Sequence, residues 1–138
     1  LGPDARIDAI LAWSALPGAS RHHWGTDIDV IDRAATAQGY LPQLVPAEYA
    51  PGGVFHRLDA WLTASMSRFG FYRPYVRDLG GVRPEAWHLS HADSARPACG
   101  GLTAEIMQEA IESADIEGKE RLIERMDEIR ERYVVERQ

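Results

Sequence analysis

Two short segments, far apart in the chain, carry the side chains that most constrain how it can fold. The first is Ser20-Arg21-His22-His23-Trp24-Gly25-Thr26-Asp27-Ile28-Asp29 and the second is Pro84-Glu85-Ala86-Trp87-His88. Two neutral imidazoles and one carboxylate hold a divalent zinc with a net site charge of about +1 and leave a fourth position for water. A fold that uses His22, Asp29 and His88 together must therefore close a long loop and bring both segments to one point. Glu85, three residues before His88, is carried along with it. There it can act as a base without being a ligand.

Local periodicity refines this picture. Residues 27–32 begin by alternating charged and apolar side chains, the period of a half-buried strand, which puts Asp27 and Asp29 on one face. Residues 82–91 form a second extended segment, with Trp87 and Leu89 on one face and His88 on the other. Strict alternation would place Glu85 on the Trp87 face, so a role as base requires Glu85 to precede the regular strand. Around these segments, residues 4–16 read as a helix, with Ile7, Ile10 and Leu11 on one face, Asp4 as cap and Pro17-Gly18 as stop. A loop is expected over 39–51 and a helix over 53–68, ended by Gly70. A short extended piece interrupted by Pro74 follows, and Gly80-Gly81 makes a turn. Residues 94–101, rich in small side chains, read as a loop. Helices are expected over 103–114 and 117–134, the second with Leu122, Ile123, Met126, Ile129 and Tyr133 as a core-facing stripe.

The chain of 138 residues has the size of one domain. Its net charge of −6 and its lack of a Lys/Arg cluster argue against nucleic acid as a partner. The acidity is uneven, with eleven acidic and six basic side chains over 101–138. Cys99 is the only cysteine, which excludes an intrachain disulfide and a zinc site built from several thiolates. No apolar stretch approaches the roughly 20 residues that span a bilayer, and no signal peptide is recognisable. The chain enters its first helix within a few residues of Leu1. We therefore expect a single domain over 1–138 that lacks an N-terminal portion of the full protein.

The pattern Ser-x-His-x-x-Gly-x-x-x-Asp followed by Glu-x-Trp-His resembles the LAS-type metallopeptidases, which include lysostaphin-like endopeptidases, D-alanyl-D-alanine carboxypeptidases and the Hedgehog signalling domain. The likeness covers about residues 17–91 and is closest to the D-alanyl-D-alanine carboxypeptidase and dipeptidase branch. It implies zinc held by His22, Asp29 and His88, Glu85 as catalytic acid/base, and substrate contacts from Ser20, Arg21 and Trp87, although Trp87 also suits a core or pocket-wall position. It implies an α+β fold in which a small antiparallel sheet carries the zinc site, flanked by helices and closed by a C-terminal helical pair. The implied substrates are peptidoglycan stem peptides cleaved at or near D-alanine. The implied location is the cell envelope, periplasmic or extracellular.

Two positions depart from the pattern. Asp27 stands where a small residue is usual, and Ala86 where proline is frequent. Asp27 adds a carboxylate that could compete for the metal or orient a ligand histidine. The family also uses an arginine well upstream of the Ser-x-His segment, whereas only Arg6 and Arg21 precede His22; that arginine is expected in sequence outside this chain. His23 reads as a packing residue or as a support behind a ligand, His56 as exposed and His91 as a surface histidine. Two other readings stay open. One is a zinc-retaining binding module of the same fold that does no hydrolysis. The other is a non-metal interaction domain working through its acidic C-terminal helices.

Overall fold

The computed structural model describes residues 1–136. It is α+β: seven α-helices surround one three-stranded antiparallel sheet. Strands β1 (Asp27–Asp29), β2 (Phe71–Tyr72) and β3 (His88–His91) lie in the order β1-β3-β2, so the strand that carries His88 is central. The register sets two rows across the sheet. Asp29 faces His88 directly, and Asp27 and Tyr72 both face Ser90 from either side.

Two apolar clusters hold this sheet. Leu11, Leu16 and Ala19 pack with Met107, Ile111, Leu122, Met126 and Ile129 in a helical core. Tyr49, Phe55 and Trp87 form a smaller aromatic one. Ala19 leads straight into the segment that carries His22 and Trp87 directly precedes His88, so each half of the candidate site hangs from a different cluster. The strands join the halves.

Helix α1 (Pro3–Leu11) ends well before the expected residue 16. Pro17 disfavours a helical conformation at the residue before it. The chain instead leaves the helix early and buries Leu16 and Ala19 from an irregular segment. The expected loop at 39–51 contains a one-turn helix, α2 (Pro46–Tyr49), started by its proline. Helix α3 (His56–Ser65) continues as a tight turn to Phe69 and stops at Gly70, as the spacing indicates. β1 is only three residues long. After it, the Asp32 side chain accepts from Ala34 and Ala35 N–H and folds the chain into a short 3-10 turn.

The expected loop at 94–101 is instead a helix, α4 (Ala92–Gly101), despite Pro97 inside it. Ala95 and Cys99 are four residues apart and both buried, so packing of one face overrides the low propensity of the segment. Helix α5 (Ala104–Ser113) matches its expected span, with the Thr103 hydroxyl capping Ile106 N–H. The second C-terminal helix breaks at Arg125 into α6 (Lys119–Glu124) and α7 (Met126–Ile129), followed by a wide π turn over Arg130–Val134. The apolar stripe survives this break, because Leu122, Met126, Ile129 and Tyr133 are all buried. The π turn lies against the 80–82 turn so closely that a Cβ on Gly81 would sit 1.9 Å from the Arg132 carbonyl oxygen.

Candidate metal centre

The first segment makes a 3-10 turn, Arg21–Trp24, and is redirected into β1 by Gly25, whose φ of 73° lies in the left-handed region that favours glycine. This turn aims His22 back at β1. From the Asp29–His88 row of the sheet, the three side chains converge. His22 Nε2 and His88 Nδ1 each lie 3.6 Å from Asp29 Oδ1, and one donor atom from each residue falls within 4.8 Å of the others. Zinc bonds of about 2.0–2.2 Å in tetrahedral geometry separate ligand atoms by roughly 3.4 Å, so the trio fits such an ion with small adjustments.

Both imidazoles are oriented by one residue. Asp27 Oδ1 accepts from His88 Nε2 at 2.7 Å, and the Asp27 backbone carbonyl lies 3.3 Å from His22 Nδ1. Each histidine thus has its far nitrogen occupied and its near nitrogen turned to Asp29. Such outer contacts commonly fix the tautomer of a ligand imidazole. Asp27 itself is fully desolvated, with a side chain 0% exposed, and is held by Arg21 Nε at 2.9 Å and the Thr26 hydroxyl at 2.5 Å. Its burial favours the neutral acid, but the bonds from His88, Thr26 and Arg21 prevail and keep the carboxyl well below its ordinary range.

Glu85 lies just before β3, as a role as base requires, with its N–H bonded to the Tyr75 carbonyl at 2.9 Å. Its Oε2 is 3.2 Å from His88 Nδ1, beside the three donor atoms. Burial lowers the tendency of His88 to charge, yet the bonds to Asp27 and Glu85 outweigh it and raise its pKa to about 9. Without a metal the ring is an imidazolium that donates to both carboxylates. Metal ligation requires the Nδ1 proton to leave.

These residues open onto a small cleft lined by Ser20, Arg21, His22, Glu85 and His88, with Trp13 and Tyr75 on its walls. The Tyr75 ring meets His88 edge-on at 5.1 Å, and burial pushes its phenol up, keeping it neutral. Neither Tyr75 nor Trp13 belongs to a motif in the sequence. Only the position of Tyr75 near a turn hinted at it, and an aromatic residue in a loop is too common a signal.

The other expected residues fall into three groups. Arg21, 3% exposed, lines the floor of the cleft beside Ser20 and His22, whereas Trp87, 5% exposed, meets Tyr49 at a tilt in the aromatic core and does not line the cleft. His23 is exposed, and His91 bonds Ser94 at 3.1 Å away from the donor trio. His56, expected to be exposed, is half-buried at the start of α3. Arg6 is on the surface, 3.8 Å from Glu117.

The family model for VanY, D-alanyl-D-alanine carboxypeptidase, matches residues 3–94, which include every residue of the centre. The chain belongs to this family. The VanY match ends at the start of α4, so α5, α6 and α7 lie beyond it. An uncharacterized protein of Haemophilus influenzae is 34% identical over 122 residues, covering 87% of this chain and 93% of that one. No solved structure matches the chain. The relative extends the likeness past the VanY segment but brings no described activity. Among the described residues, no helix is long and apolar enough to cross a membrane.

Proposed function

We propose that this chain is a zinc peptidase acting on peptidoglycan stem peptides, of the D-alanyl-D-alanine carboxypeptidase type, working in the cell envelope. The observation that carries the reading is the convergence of two imidazole nitrogens and a carboxylate at ligand spacing, with a further carboxylate, Glu85, 3.2 Å from His88 Nδ1. His22, Asp29 and His88 would hold the ion. When bound, zinc supplies Lewis acidity toward a water and the scissile carbonyl.

This chain's own residues do the rest. Glu85 takes a proton from the attacking water and returns it to the leaving amine, and its placement beside the ligands rather than among them leaves it free for both transfers. Asp27 holds both imidazoles in the tautomers that ligate. Ser20 and Arg21 line the cleft, where Ser20 bonds the peptide and Arg21 braces the sheet, while Trp87 supports His88 from the aromatic core. Tyr75 and Trp13 wall the cleft, Tyr75 with its ring edge-on to His88.

Elemental analysis after purification in zinc-containing buffer should give about one zinc per chain, strongly reduced in His22→Ala and His88→Ala. Glu85→Gln should keep that zinc and lose about 10²-fold to 10⁴-fold in hydrolysis of D-alanine-terminated muropeptides, followed by mass spectrometry. Retained zinc with no hydrolysis by the wild type would favour the non-catalytic binding module. No bound zinc would remove the reading altogether.

A further inference from the structure

Asp27 and Arg21 both occupy positions that the motif leaves open, and in the fold they touch. We infer that Arg21 is a positioning residue for the metal centre, acting through Asp27 on both ligand histidines; the inference rests on the zinc reading above.

The sheet register explains how. One row runs Asp27, Ser90, Tyr72 across all three strands, and the next holds Asp29 and His88. The Arg21 guanidinium lies along the first row. Its Nε donates to Asp27 Oδ1 at 2.9 Å, and its Nη2 to Ser90 Oγ at 2.6 Å and the Tyr72 hydroxyl at 2.9 Å. Nη2 also reaches Glu136 Oε1 at 2.9 Å, while the guanidinium rests 5.0 Å from the Trp24 ring centroid. A planar fork that bonds each strand fixes the strands' mutual offset, which a point charge such as lysine would not do. That offset places Asp29 opposite His88.

Charge makes the pair interdependent. Asp27 is fully buried, and a buried carboxylate persists only with a compensating cation. Arg21 Nε and His88 Nε2 meet the same Asp27 oxygen, at 2.9 Å and 2.7 Å, so Arg21 fixes the acceptor that orients His88. A small residue at position 27 would need no such partner, so Arg21 and Asp27 form one device.

The test is a double-mutant cycle on zinc affinity, with Arg21→Met, Asp27→Asn and the two combined. We expect Arg21→Met to weaken zinc binding by about 10-fold to 100-fold, the range for partners of a ligand histidine. The double variant should bind no more weakly than Asp27→Asn alone. If Arg21→Met does not fold because its carboxylate is uncompensated, the double variant should fold, since both charges are gone. In zinc-free protein, nitrogen-15 NMR should find the His88 Nε2 proton protected from exchange in the wild type and exchanging faster in Arg21→Met. Wild-type affinity in Arg21→Met, losses that multiply in the double variant, or a double variant unfolded where Asp27→Asn is folded would each overturn the inference. A wild type that binds no zinc counts against the proposed function alone. The NMR comparison then decides the positioning role, an unchanged exchange rate refuting it.

Discussion

Two buried arginines organise this molecule, and they do so in opposite solvents. Arg21 grips Asp27, Ser90 and Tyr72 on the face of the sheet, where Asp27 is shut off from water. Arg125, at the break between α6 and α7, grips Asp8 of α1 at 2.6 Å and Glu128 at 2.9 Å, and both carboxylates remain at least one-third exposed. Arg132 joins this second group, reaching Glu128 at 2.7 Å and Asp8 at 3.3 Å. The same fork geometry thus serves two ends. Around Arg21, burial makes each partner indispensable to the next and holds the candidate ligands. Around Arg125, water and salt share the load, and the cluster ties α1 to the C-terminal helices outside the site.

The comparison breaks most visibly if one member of each cluster is removed. Asp27→Ala leaves Arg21 buried with Glu136 as its remaining carboxylate, and should lower stability by about 3 kcal/mol, the lower end for breaking a buried pair. Arg125→Met should cost less, about 1–2 kcal/mol, since its partners fall back on water. Urea titrations of the zinc-free variants measure both. Equal losses would mean that solvent exposure does not separate the clusters.

Salt sharpens the same contrast. In 1 M sodium chloride, where the screening length falls to about 3 Å, the Arg125→Met penalty should shrink while the Asp27→Ala penalty holds. Paired urea titrations at low and high salt would reveal a parallel change if both clusters were equally wet.

The sequence made the site legible before the fold. His22, Asp29, Glu85 and His88 stand in short segments whose local spacing limits where their side chains can go, and the structure brings all four together. Their supports were harder to read. Asp27 was visible as a carboxylate on the ligand face, but whether it bound metal or histidine depended on the pairing of β1 with β3. For Arg21, nothing local says that Ser90 and Tyr72 lie within its reach. Those partners are 69 and 51 residues away. The helix stripe of 117–134 was legible as a core face, whereas the break at Arg125 was not. Its cause is tertiary, since Arg125 reaches Asp8 across to α1. α4 was missed for a similar reason, because small residues and Pro97 indicate a loop until Ala95 and Cys99 have something to pack against.

Acid gives the smallest effect and the finest test of the contrast. The bonds from Arg125 and Arg132 lower the pKa of Glu128 from 4.5 to about 2, and Asp8 is also lowered: burial there favours the neutral acid, but Arg125 and Arg132 outweigh it. A carboxylate whose pKa is depressed on folding contributes stability that is complete above its unfolded value and disappears as pH falls through its folded one. The gap in stability between wild type and Arg125→Met should therefore be constant near neutrality, narrow as pH drops from about 4.5, and be nearly gone near 2. Because both carboxylates are partly exposed, the change should be modest and smaller still in high salt. Thermal melts of the two proteins across that range follow it directly. A gap that stays constant down to pH 2 would show that Arg125 stabilises the helices through packing of its stem, and that the C-terminal cluster is not electrostatic at all.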